Sequence, residues 1–445
     1  MANKKKTSPS KTILVSLLAL VLGVAIGFVV ATTFVTSNLE FYLNGKANMG
    51  IGLGSTYKES GVVCNFRGTD YTDDVVISYY NDEKEKVSNI ETDEITTFYV
   101  EYKIDTGKIT SSLLRVVNIV EMEDLEINFM MLGNKYAGDA IYIKAGDVDI
   151  LVDAGSRQSS AETITDYLTD ETSDLHSYVS DNKLEYVIAT HADQDHIAGF
   201  VGTQEIPGIL ETFEIETLIQ FPKSDKTSKL YKDYCDLVDE LETNGTNVYT
   251  ALECYNNENG ASRVIELAVG IELEILYNYY YENKTSDENN YSVCFMLRRG
   301  EEQFLFTGDL EEKGEEYLVE YNDLSEVYLY KMGHHGSKTS STQTLLSVIK
   351  PKVVVATCCA FTDEYSDNPD NIFPTKIAID NLVNVGSVKH FYVPTMVSNN
   401  KEGYAPANGN IVVYANFDGT GVRCSHSNED FYNFDIFKQY RTWTK

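Results

Sequence analysis

The longest apolar run lies near the start of the chain, where no charged side chain occurs between Thr12 and Leu39 and Ile13 to Val35 forms a core of 23 residues. At about 1.5 Å per residue this length crosses a hydrocarbon layer about 30 Å thick, so the pattern predicts a membrane-spanning helix over residues 12–37. A cleaved signal peptide is the rival expectation. Its apolar region ordinarily runs only about 7–15 residues, however, and Val29-Val30-Ala31 is a weak cleavage site. Lys4, Lys5, Lys6 and Lys11 stand before the run without an acid. Residues 1–11 therefore read as a cytoplasmic tail, and everything after residue 40 is expected outside a cell membrane crossed once.

Residues 40–121 alternate apolar and polar positions in short runs, Val75 to Tyr80, Thr97 to Tyr102 and Leu114 to Val117, separated by Gly, Asp and Asn. That period of two predicts an all-β sandwich. From residue 126 to about 430 the rhythm changes to strands alternating with helical stretches, an α/β pattern. Ala140 to Lys144 and Asp149 to Asp153 flank a hairpin turn at Ala145 to Val148, while Glu162 to Leu168 and Leu230 to Leu241 carry helical spacing. Ser341 to Ile349 reads as a helix stopped by Pro351, with Ser340 and Gln343 as its capping box. Asn410 to Asn416 reads as a last exposed strand, and the aromatic tail 431–445 is expected to pack back on the surface.

Composition narrows the function classes. The 445-residue chain is long enough for two or three units. A net charge of -32 argues against a broad basic surface for gripping nucleic acid. Seven cysteines, an odd number without any C-x-x-C, give neither a disulfide framework nor a zinc ribbon.

The chemistry concentrates in His191-Ala-Asp193-Gln-Asp195-His196, which follows the apolar run Val187 to Ala189 and precedes Gly199, read as the point where the chain turns away. Two imidazoles and two carboxylates within six residues are a metal-ligand pattern. Further along come Phe304-Leu305-Phe306-Thr307-Gly308-Asp309 and His334-His335-Gly336-Ser337-Lys338. The latter places imidazoles, hydroxyls and a lysine before a helix, a setting suited to an anion. His176, His390 and His426 lie outside every motif and read as ordinary surface or packed residues.

Taken with Gly138-Asp139 and Val152-Asp153-Ala154-Gly155, these motifs in this order resemble the metallo-β-lactamase fold, and more narrowly the hydrolase domain of ComEC-type competence proteins. The pieces of residues 40–121, from Gly54-Ser55-Thr56-Tyr57 to Arg115-Val116-Val117, resemble bacterial immunoglobulin-like modules. The first resemblance implies an αββα sandwich holding one or two divalent ions, Zn or Mn. His191, Asp193, Asp195, His196, Asp309 and His334 would be metal ligands, Asp309 the bridge and Asp153 a supporting neighbour. Asp195, His334 and His335 would be catalytic, with His334 and His335 sharing ligation and proton transfer in an order the sequence leaves open. Ser337, Lys338 and Asn290, the last from a pattern matched by Asn289-Asn290-Tyr291-Ser292, would contact substrate.

Two departures matter. No histidine occurs between His196 and Asp309, so a first metal site of three histidines is excluded, and Phe373 precedes Pro374 where the ComEC-type pattern commonly has a histidine. The resemblance thus implies an oxygen-rich centre acting on a phosphoester or phosphodiester: a small molecule, a cell-wall polymer or nucleic acid. No protein partner is inferred. A surface adhesion or scaffold protein that keeps the fold without activity is the alternative.

Overall fold

The alternating runs of the first half become strands in register. In the computed structural model, which describes residues 39–363, 368–398 and 403–444, Thr97–Asp105 pairs antiparallel with Thr110–Val120, from Thr97 opposite Asn118 to Asp105 opposite Thr110. Phe98, Val100, Tyr102 and Ile104 face inward from the first of these strands. The described residues form two compact units, one of those up to Gly50 with Tyr57–Ile119 and the other of Ile51–Thr56 with those from Val120 onward. The expected membrane helix over residues 12–37 lies outside the described residues. Among those described, no helix is long and apolar enough to cross a membrane.

The smaller unit is all-β and buries one charge. Arg115 is inaccessible, its Nη1 2.8 Å from Glu59 Oε1 and its Nε donating to the Lys46 carbonyl at 3.1 Å. The Tyr57 and Tyr102 hydroxyls donate to the same Glu59 carboxylate. A buried ion pair is tolerable when hydrogen bonds satisfy its remaining valences, which is the case here.

The larger unit is built on an eight-stranded and a seven-stranded sheet. Period-two alternation in the second sheet shows how they stack. Phe295, Leu297, Phe304, Phe306, Val353 and Val355 join the core shared with the first sheet. Met296, Leu305 and Val354 point the other way, into a second core with Leu318, Leu345, Ile349, Ile379 and Leu382 of the covering helices. On the first sheet, Ala161, Ile164, Phe200, Tyr234 and Val238 of the helices Ser160–Leu168, Gln194–Val201 and Lys229–Asn244 close the opposite side. The order is helices, sheet, sheet, helices, the expected αββα layering.

Four local readings need correction. Ile411–Asn416 is neither last nor exposed: it is mostly buried between Leu125–Phe129 and a further strand, Gly419–Cys424. The helix Gln343–Ile349 is capped by Thr342, whose hydroxyl accepts from Leu345 N, while buried Ser340 donates to the Leu310 carbonyl instead. The aromatic tail is partly core, since Phe431 and Phe437 are inaccessible. Gly199 does not turn the chain. It sits inside Gln194–Val201, where a Cβ would fall 2.1 Å from the Ala154 carbonyl oxygen, and the turn comes at Gly202 with φ +64°.

Candidate metal centre

Parallel strands bring the motifs to one edge. Val148–Val152, Lys183–Ala189 and Glu214–Gln220 run parallel in the first sheet. In the second, Glu302–Phe306, Leu329–Lys331 and Val353–Val355 do the same. Asp153, His191, Asp309, His334, His335 and Thr357 follow the carboxyl ends of these strands, where ligand crevices form in α/β sheets. Asp139 arrives from the opposite direction, just before Ile141–Ala145, whose Ile141 lies opposite Val152.

Asp195, His196, Asp309 and His335 each offer one atom within 4.8 Å of the others. Asp309 Oδ2 lies 3.2 Å from both His196 Nε2 and His335 Nε2, and Asp195 Oδ2 is 3.5 Å from His335 Nε2. The far side of each ring is anchored. His196 Nδ1 is 2.7 Å from Asp153 Oδ2, and His335 Nδ1 is 3.2 Å from Thr357 Oγ1 and 3.4 Å from Asp139 Oδ1. Asp153 is itself fixed by the Thr190 amide at 2.8 Å and hydroxyl at 2.7 Å. Carboxylates behind imidazoles set the tautomer and aim the free nitrogen inward.

That aim supports a cation. Nε2 of His191, His196 and His335 is buried in each case without a hydrogen bond. Orphaned buried polar atoms are costly, and three of them converging on carboxylates are accounted for by a divalent ion taking nitrogen and oxygen donors. The surrounding carboxylates attract positive charge, which a proton or a metal ion can supply. Burial disfavours charge on His196 and His335, yet Asp309, aided by Asp153 and Asp139 respectively, outweighs it and holds both well above the usual histidine range. Burial raises Asp309, but His335, His196 and Lys331 bring it well below the carboxylate range. His191, by contrast, is held well below its usual range by burial and by His196.

The remaining residues singled out in the sequence spread around this group. His191 is adjacent, its ring centroid 4.0 Å from that of His196. Asp193 lies 3.7 Å from His191 Nε2 through Oδ2, while its Oδ1 pairs with Lys226. His334 is partly exposed, 3.9 Å from Asp309 Oδ2, with Nδ1 against Thr339 Oγ1 at 3.2 Å. Ser337 is buried against Thr339, and Lys338 is exposed. Asn290 is buried, and its side-chain oxygen accepts from the Glu311 amide at 3.3 Å. Phe373 packs near both imidazoles, 5.9 Å from His334 and 6.4 Å from His335 between centroids.

Lys331 is the residue the sequence pattern did not reveal. It is 1% exposed, with Nζ 2.6 Å from Asp139 Oδ2, 3.2 Å from Asp309 Oδ1 and 3.2 Å from the Gly308 carbonyl. Burial works against its charge, but the two carboxylates outweigh it and keep it an ammonium. Asp139 also accepts the Thr357 hydroxyl, which ties the two sheets together beneath the centre.

The family model of the metallo-beta-lactamase superfamily matches residues 285–358, the stretch holding Asp309, His334 and His335. The chain is similar to ComE operon protein 3 of Bacillus subtilis, 26% identical over 176 residues covering 39% of this chain and 20% of that protein. It is also similar to the competence protein ComA of Neisseria gonorrhoeae, 38% identical over 88 residues covering 20% and 12%. The larger unit has the metallo-β-lactamase fold and is related to the ComEC-type proteins. The chain spans a fifth or less of the length of these curated relatives. A metallo-β-lactamase structure from Hirschia baltica matches at 13% identity and a TM-score of 0.22 over 67% of this chain and 85% of that one, too loosely to inform the site. The carboxylates Asp195 and Asp309 beside His196 and His335 make this centre rich in oxygen, and Lys331 adds a fixed charge.

Proposed function

We propose that the chain is a metal-dependent hydrolase of phosphoester or phosphodiester bonds, held on the outer face of a membrane by its N-terminal apolar segment. The supporting observation is the meeting of Asp195, His196, Asp309 and His335 with inward, unbonded imidazole nitrogens. Asp195, His196, Asp309 and His335 would hold the ion, with His191 beside them, and Zn²⁺ or Mn²⁺ suits this mixed donor set. When bound, such an ion polarises a phosphoryl oxygen and lowers the pKa of water.

The chain's own groups supply the rest. Asp195 accepts a hydrogen bond from the attacking water and orients it. His334, partly exposed and backed by Thr339, is placed to give a proton to the leaving oxygen. Lys338, exposed next to the buried Ser337, offers a contact to the substrate's phosphate. The all-β unit serves as a spacer, an arrangement that suits a cell-envelope phosphodiester, and the net charge of -32 disfavours long nucleic acid.

Turnover of bis(4-nitrophenyl) phosphate by the purified chain is expected to fall at least about a hundredfold on chelation and to return with Mn²⁺ or Zn²⁺. Single-stranded DNA assayed in parallel separates a nuclease from an envelope enzyme. A chain that holds no metal and turns over neither substrate would leave an inactive scaffold as the reading.

A further inference from the structure

The pairing of Asp193 with Lys226 separates this residue from the rest of the ligand series. Lys226 lies in the loop Phe221 to Ser228, which follows Glu214–Gln220, the parallel neighbour of Lys183–Ala189 with Ala189 beside Gln220. The loop therefore leaves the sheet at the edge where His191 emerges. Its sequence is unusual for so acidic a chain: Lys223, Lys226, Lys229 and Lys232 occur within residues 221–232 against Asp225 alone. The Lys226 side chain is 37% exposed and that of Asp193 25%, which puts the pair at the boundary between centre and solvent. Asp195, His196, Asp309 and His335, by contrast, form a compact group that does not include Asp193.

Two roles for Asp193 compete. As a ligand it would offer Oδ2, 3.7 Å from His191 Nε2, while Oδ1 stays on the ammonium. As a holder it fixes Lys226 beside the residue that follows His191 and Ala192, whose amide donates to Glu288 Oε1 at 3.4 Å. A partly exposed ion pair contributes little stability, so Lys226 is readily shared with an arriving anion. A lysine is a compact cation on a flexible stem, suited to a phosphate oxygen approaching from solvent.

We propose that Lys226 receives the anionic oxygen of a phosphate-bearing substrate and that Asp193 holds this lysine in place and is not a metal ligand. The inference rests on the phosphoester reading and names the residue that would give that site its preference for anions. It is tested on the full, metal-loaded chain by titration calorimetry with inorganic phosphate. Lys226→Met is expected to weaken phosphate binding at least about tenfold, equivalent to 1.4 kcal/mol, and Lys226→Arg to recover most of it. Asp193→Asn is expected to retain the wild-type metal content by elemental analysis. Phosphate affinity unchanged in Lys226→Met, no phosphate binding by the wild type, or loss of metal from Asp193→Asn would each overturn the proposal. Failure of the wild type to cleave bis(4-nitrophenyl) phosphate counts instead against the hydrolase reading, because the phosphate titration does not depend on turnover.

Discussion

Asp309→Asn is expected to empty the metal centre and to lower phosphodiester turnover by about a thousandfold, some 4 kcal/mol of transition-state stabilisation. The size follows from its position. Asp309 Oδ2 is 3.2 Å from both His196 Nε2 and His335 Nε2, so it is the carboxylate common to the two anchored imidazoles. An amide keeps the shape but removes the charge, and its NH₂ group can present protons to the very nitrogens a metal needs. Elemental analysis of the purified variant against wild type measures the first effect, and steady-state hydrolysis the second. Wild-type metal content in Asp309→Asn would show that the ion is held elsewhere.

Lys331→Met is expected to destabilise the larger unit by about 3–5 kcal/mol, because removing one member of a buried ionic group strands the others. Asp139 and Asp309 would then face each other across the site without the ammonium that lies 2.6 Å and 3.2 Å from them. The single tryptophan makes the measurement specific. Trp443 stacks on Phe391 at 5.9 Å within the larger unit, so urea unfolding followed by its fluorescence reports that unit's packing. The loss should be smaller in metal-loaded protein than after chelation, since a divalent ion compensates the same carboxylates. A midpoint that does not move in either condition would show that the buried ammonium adds nothing to the fold.

These two residues also mark what the sequence made legible. Asp309 stands out because an apolar strand, a glycine and a carboxylate fall together, and the order of the four motifs anticipated the αββα layers before any contact was known. Lys331 hides in Leu329-Tyr330-Lys331, where a lysine at a strand end reads as a solvent-facing position. Its partners Asp139 and Asp309 come from other strands, and local periodicity carries no information about which strand ends share an edge. Lys226 is missed for the same reason. The shift of the helix cap from Ser340 to Thr342 has a different origin: both hydroxyls suit a cap, and only burial of Ser340 against the Leu310 carbonyl decides between them. Asn410 to Asn416 reads as a last exposed strand because the one that covers it, Gly419–Cys424, comes later and contains two glycines.

His334 and His335 both have left-handed backbones, with φ +47° and +53°. For residues with a Cβ this conformation costs about 1–2 kcal/mol each, and it persists only where the surroundings over-determine it. Beneath the pair, the Tyr330 hydroxyl accepts from the Gly333 amide at 3.0 Å, and Glu315 accepts from the amides of Ser341 and Thr342 at 2.6 and 2.8 Å. Glycine or asparagine would adopt the same turn with less strain. Selection of this chain for thermal resistance alone would therefore favour replacing the two imidazoles, enriching sturdier proteins that have lost their chemistry, so any stabilisation campaign must score metal content alongside melting temperature.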